Sequence, residues 1–326
     1  MTYANRYPGR GTEESERRGL LRWQWERRKT AARRMPAAPI LGVEPDLDRI
    51  HRGDGVRATW VGHATVLLQV AGLNVLTDPH FRGVASPLPI GPKRHQPPGL
   101  PFEALPRIDA VVVSHNHYDH LDRWTVRALM RRDAPTFLVP AGVDRWFARA
   151  VPGAVLDGPL RNVVGMRWDE EHALGDVRFR FLAVQHWSAR GLRDRDRTLW
   201  GSWAVLAPDM TFWFSGDLGY SPDILDVHAS IGDVDLAAIS IGAYDPRWIM
   251  RDSHLDPGEA VSVLEDLRAR SAIAIHWGTF EDMTDEPLDE PPVLLRDHLD
   301  RRGIARERFL VPRHGETLAW DGSRLR

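Results

Sequence analysis

The stretch Ile108–Asp122, IDAVVVSHNHYDHLD, narrows the possible architectures further than any other part of the chain. The apolar run Ala110–Val113 reads as a strand buried on both faces, which requires a sheet covered on both sides. It leads without a break into three histidines and two aspartates within nine positions. His115 and His117 are two residues apart, so extended backbone turns both to one side. Asp119 and His120 follow where the chain bends towards a helix capped by Asp122. One ion cannot readily use four donors from so tight a turn. Two neighbouring ions can, one on His115 and His117 and the other on Asp119 and His120. A catalytic zinc takes about four ligands and keeps one position open, so further ligands must come from elsewhere in the chain.

The candidates are His186, Asp217 and His276, each where a β segment meets a polar or glycine-containing turn. His63 and His314, each in a glycine-flanked turn, are intermediate candidates for a place near the site, whereas His51, His80, His95, His172, His228 and His298 read as surface or structural residues. The chain has no cysteine, so any metal is held by nitrogen and oxygen. A net charge of −2 gives the bulk no bias towards nucleic acid, and no such partner is expected.

Composition divides the chain in two. Residues 1–45 read as a basic, tryptophan-containing arm and linker, with Leu20, Leu21, Trp23 and Trp25 among the arginines and Pro36 and Pro39 marking the linker. The arm is expected to be partly helical and to pack its tryptophans on the main domain. The alternative is a segment lying on an anionic membrane surface. Residues 46–326 read as one α/β domain of two successive halves, each strands then helices, which predicts two sheets packed face to face with helices outside. Strand pairs are expected across Ala71-Gly72 and Pro208-Asp209, a long loop over 79–107, and a helix from Pro257 with Asp256 and Glu259 as its capping box. No leader and no run of about 18 apolar residues is seen, so a cytoplasmic protein is expected, with contact at the inner membrane surface left open.

The pattern His-x-His-x-Asp-His after a strand, with His, Asp and His further on, resembles the metallo-β-lactamase-fold hydrolases. TWVGHATVLLQ, LTDPHF, GPKR, QHWSARGLRDRDRTLWGSW, SGDLGY, IGAYDPRWIM, HLDPGEAV and IHWGTF are similar, in order, to the N-acyl-phosphatidylethanolamine-hydrolysing phospholipase D family. The resemblance implies a four-layer αββα sandwich for residues 46–326 and two Zn(2+) per chain. His115, His117 and His186 would hold one zinc, Asp119, His120 and His276 the other, and Asp217 would bridge them. It further implies a phosphodiesterase in which a metal-activated hydroxide attacks phosphorus, with a phosphodiester or phospholipid substrate. Asp217, His254 and Asp119 would be the catalytic residues, His254 as proton donor to the leaving group. Tyr244 and Arg247 are candidates to steady a phosphate, and Asp78 and His63 to orient metal-bound side chains. The alternatives are a metal-dependent lactonase or another ester or thioester hydrolase on the same site, and a non-catalytic metal-binding protein. A homodimer is also left open.

Overall fold

The computed structural model describes residues 2–9, 19, 22–23, 25–27, 35–37, 39–151, 162–191 and 193–326. After a short helix α1 (Leu47–Arg52), six strands follow, interleaved with two helices. They are β1 (Val56–Gly62), β2 (Thr65–Val70), β3 (Leu73–Thr77), β4 (Ala110–Val112), helix α2 (Arg123–Arg132), β5 (Thr136–Pro140), helix α3 (Val143–Ala150) and β6 (Val163–Met166). The second half supplies β7 (Glu171–Leu174), β8 (Val177–Leu182), β9 (Ser202–Ala207), β10 (Met210–Phe214), helix α4 (Asp223–Ile231) and β11 (Leu236–Ser240). It continues through α5 (Arg247–Met250), α6 (Pro257–Asp266), β12 (Ser271–Ile275), α7 (Glu290–Arg301) and β13 (Phe309–Leu310). The last strand, β14 (Thr317–Trp320), returns to the first sheet beside β1. The sheets run β14-β1-β2-β3-β4-β5-β6 and β13-β12-β11-β10-β9-β8-β7.

Period-two side chains decide which layer each residue joins. Trp60, Val66, Leu68 and Val112 meet Phe179, Phe181, Phe212 and Phe214 between the sheets. Their neighbours Leu67, Val111 and Val113 turn outward onto Val126 and Leu129 of α2 and Phe147 of α3. On the other side Trp213, Ala237 and Ile239 pack on Ile224 of α4, Leu264 of α6 and Leu295 of α7. The result is the expected αββα sandwich. Each large apolar side chain so buried contributes about 1.5–3 kcal/mol.

The hairpins across Ala71-Gly72 and Pro208-Asp209 form as expected. So does the capping box, in which Asp256 accepts from Glu259 N–H at 2.8 Å. Helix α6 is shorter than its periodicity suggests. It stops at Asp266 because Arg268 takes a left-handed φ of 49° and Arg270 N–H bonds back to Val234, feeding β12. Among the described residues no helix is long and apolar enough to cross a membrane.

Candidate metal centre

Each candidate metal ligand follows the C-terminal end of a strand. His115, His117, Asp119 and His120 follow β4 of the first sheet; His186, Asp217 and His276 follow β8, β10 and β12 of the second. The two sheet rims are tied together by His276 N–H donating to His63 C=O at 2.9 Å and Trp203 Nε1–H to Val113 C=O at 2.8 Å. Two glycines let the loops close. A Cβ on Gly216, whose φ is +58°, would lie 2.5 Å from Ser114 Cβ, and one on Gly242 would lie 2.2 Å from His276 O. Gly216→Ala is therefore expected to destabilise the protein by about 1–3 kcal/mol and to displace the adjacent Asp217. A lowered Tm together with reduced metal content checks it; an unchanged Tm and full metal content would refute it.

The first group is a triad of imidazoles. His115 Nε2 lies 2.8 Å from His117 Nδ1, which lies 3.4 Å from His186 Nε2. Burial and the charge of neighbouring rings hold His115 well below the ordinary histidine range. Burial lowers His117 to about 4 and holds His186 well below its ordinary value. The outward nitrogens of His115 and His186 are anchored. Ser114 Oγ meets His115 Nδ1 at 2.8 Å, and His186 Nδ1–H donates to Ser253 C=O at 2.9 Å. Three neutral rings thus aim lone pairs at one point, a donor set that fits a cation and little else.

The second group joins Asp119 Oδ2, His120 Nε2 and His276 Nε2, with separations of 3.2 Å from His120 to either partner and 3.6 Å between the others. Asp217 spans it, with Oδ2 at 3.0 Å from His120 Nε2 and Oδ1 at 3.1 Å from His276 Nε2, and it reaches to 3.9 Å from His115 Nε2. Burial would raise Asp119 and Asp217, but His120 and His276 hold both carboxyls well below the usual carboxylate range. Burial in turn opposes charge on His276, yet Asp217 and Asp119 lift it to about 9. Two buried carboxylates require compensating positive charge. Without an ion the histidines supply it as protons; a metal replaces those protons.

Asp78 lies behind this group, its Oδ2 accepting from His120 Nδ1–H at 2.6 Å and from Ser114 Oγ–H at 2.5 Å. His63, held neutral by burial, donates Nε2–H to Asp119 Oδ2 at 2.9 Å. His254 faces Asp217, its Nδ1 3.8 Å from Oδ2 and without a hydrogen-bond partner among the described residues. Tyr244 and Arg247, the candidates to steady a phosphate, do not line the cavity over these groups and are hydrogen-bonded elsewhere. Tyr244 OH donates to Glu290 at 2.5 Å, and Arg247 bonds His254 C=O and Glu259. Arg247 thus ties the backbone at His254 to Glu259 of α6.

A cavity of about 260 Å³ opens over the groups, lined by His117, Asp119, Asp217 and His254 and by the apolar Trp23, Trp187, Ile249, Met250 and Met283. Sequence reasoning did not select these apolar residues, since an isolated Trp or Met carries no motif. Trp23 of the arm is buried here, its Nε1–H donating to Asp285 at 2.7 Å under the Arg27 guanidinium. The expected packing of arm tryptophans on the domain holds for Trp23, whereas Trp25 is 61% exposed. Leu20, Leu21 and the arginines from Arg28 to Arg34 lie outside the described residues. Two buried histidines read from sequence as peripheral or intermediate also lie close by: His80 packs on Phe280, and His314 bonds Thr279 at 3.0 Å.

The family profile described as "Beta-lactamase superfamily domain" matches residues 73–277. The chain belongs to the β-lactamase superfamily. Its fold and paired His/Asp groups are those of a metal-dependent hydrolase with a binuclear site. It is 39% identical over 284 residues to "N-acyl-phosphatidylethanolamine-hydrolyzing phospholipase D 1" of Caenorhabditis elegans, spanning 85% of this chain and 78% of that protein. It is 29% identical over 270 residues to the mitochondrial enzyme of that description in Saccharomyces cerevisiae, spanning 81% of this chain and 56% of that protein. The homology is thus of moderate identity, less close than the shared motifs alone suggest. Among solved structures, the superfamily chain resembles an isothiocyanate hydrolase from Delia radicum gut bacteria, with a TM-score of 0.61, 18% identity, and 81% of this chain and 99% of that chain covered. That likeness concerns the fold alone.

Proposed function

We propose that the chain is a binuclear zinc phosphodiesterase that hydrolyses a phospholipid of the N-acylphosphatidylethanolamine type. The observation that carries it is Asp217, a carboxylate whose two oxygens reach His120 and His276 while it also faces His115. A carboxylate between two nitrogen-rich groups would suit zinc, which would supply charge to a phosphoryl group. The lipid class is supported by the nematode and yeast relatives, whose names state that activity, and by the apolar wall of the cavity.

Zinc held by His115, His117, His186, Asp119, His120, His276 and Asp217 would supply an acidified water and positive charge for the phosphoryl oxygens. The protein's own residues do the rest. Asp78 and Ser114 fix the ring tautomers of His120 and His115, His63 orients Asp119, and Trp23 and Trp187 give the cavity an apolar wall. His254, neutral because burial lowers it to about 4, has a ring nitrogen 3.8 Å from Asp217 Oδ2; it would take the proton given up by the attacking water and return it to the leaving oxygen. His254→Ala is expected to retain both metals and to lose about 10²-fold in turnover, most with poor leaving groups. Loss of metal in that variant would make the ring a ligand and remove this role. The reaction is tested with N-acylphosphatidylethanolamine, a lactone and a thioester in ¹⁸O-water. Label is expected in the phosphate product of the first. Turnover of the lactone or thioester alone would overturn the proposal in favour of those classes.

A further inference from the structure

Residues Tyr3–Gly9 carry no motif, yet they are fastened to the metal-bearing half at several points. Tyr3 N–H donates to Asp196 C=O at 2.7 Å, Arg6 pairs with Asp169 at 2.8 Å, and Tyr7 OH donates to Asp226 at 2.9 Å. Gly9 lies against Asp252 and Gln185, where an added Cβ would be 3.1 Å from the Asp252 carboxylate. Between these anchors the Asn5 side-chain oxygen accepts two hydrogen bonds, from His186 N–H at 3.0 Å and from Trp200 Nε1–H at 3.0 Å. Both donor residues are buried.

His186 needs such a partner. Strand β8 has ended at Leu182, and beyond it the described residues of the sheet offer only an isolated bridge between Gln185 and Gly219. The backbone N–H of His186 is therefore beyond the regular ladder, and Asn5 replaces the missing strand. The ring is fixed from its other end by Ser253 C=O on Nδ1–H. Gln185 and Asp252 join the two supports, Gln185 Nε2–H donating to Asp252 C=O at 3.2 Å. With backbone and ring both held, Nε2 is aimed at His117 Nδ1.

We propose that Tyr3–Gly9 is a strap that positions the first metal triad, with Asn5 as its positioning residue. The proposal rests on the binuclear metal reading and assigns the first residues of the chain to the site instead of to a separate arm. An amide oxygen suits the role because it accepts two N–H donors at once without adding charge beside a cation.

The test uses the full chain, stripped of metal and titrated with Co(II) and Zn(II) against a competing chelator, with no substrate present. Asn5→Ala is expected to weaken one of the two ions about 10–100-fold, leave the other unchanged, and alter the visible cobalt spectrum. Asn5→Asp, whose carboxylate accepts the same two bonds, is expected to restore affinity and spectrum. A lower Tm of metal-free Asn5→Ala with both affinities intact would reduce the strap to a structural brace and overturn the proposal, as would failure of Asn5→Asp to rescue. Should Asn5→Ala not fold, Asn5→Gln, which shifts the amide by one methylene, is read in the same way. A parent chain that takes fewer than two ions would overturn the binuclear reading itself, and the strap with it.

Discussion

Asp217→Asn is expected to fold and to lose nearly all hydrolytic activity. The side chain is buried, and the amide has the carboxylate's shape, so packing is kept. Its charge is not kept. Oδ1 and Oδ2 lie 3.1 and 3.0 Å from His276 and His120. An amide would present a donor to one of these nitrogens, where a metal needs an acceptor. Removing one partner of a buried charge pair costs about 3–5 kcal/mol. The same energy in a transition state is roughly two to four decades of rate. The checks are turnover, metal content and the far-UV circular dichroism spectrum. An Asp217→Asn protein with two metals and parental turnover would show that the carboxylate neither bridges nor takes part in the reaction.

Removal of metal is expected to rank next. Chelation should abolish hydrolysis, and zinc should restore it. It should also lower Tm, because the groups that converge on the ions are left facing each other. His115, His117 and His186 bring three ring nitrogens within 3.4 Å contacts at a buried point. Asp119 and Asp217 must then rely on protons held by His120 and His276. A ligand present at 1,000 times its dissociation constant stabilises by about 4.1 kcal/mol, and each of two ions adds its own share. Elemental analysis, calorimetry and an activity assay before and after chelation measure all three effects. Parental Tm and activity in protein shown to hold less than one metal per chain would refute the binuclear centre.

Much of the frame was legible in the sequence. The burial of β4 on both faces followed from its unbroken apolar run, and the structure covers it with the second sheet on one side and helices on the other. The Asp122 and Asp256 caps were readable because a cap is a local hydrogen bond between residues three apart or fewer. Helix α4 was not assigned. Its start is Pro222, with no side-chain cap, so the usual boundary signal is missing.

The site divides along the same line. Residue order alone showed which side chains had the chemistry to bind metal, because four of them stand within six residues and no cysteine competes. It also marked the ends of strands at which His186, Asp217 and His276 would stand. Their surroundings, by contrast, came from the folded arrangement. Asn5 meets His186 across 181 residues and Trp23 meets Asp285 across 262. Tyr244 and Arg247 sit in a promising loop but are claimed by Glu290 and Glu259. The difference is one of range. Ligand type, caps and strand faces are fixed by bonds within a few residues, whereas a cavity wall and the partner of a lone N–H depend on which distant segments the two sheets bring to one rim.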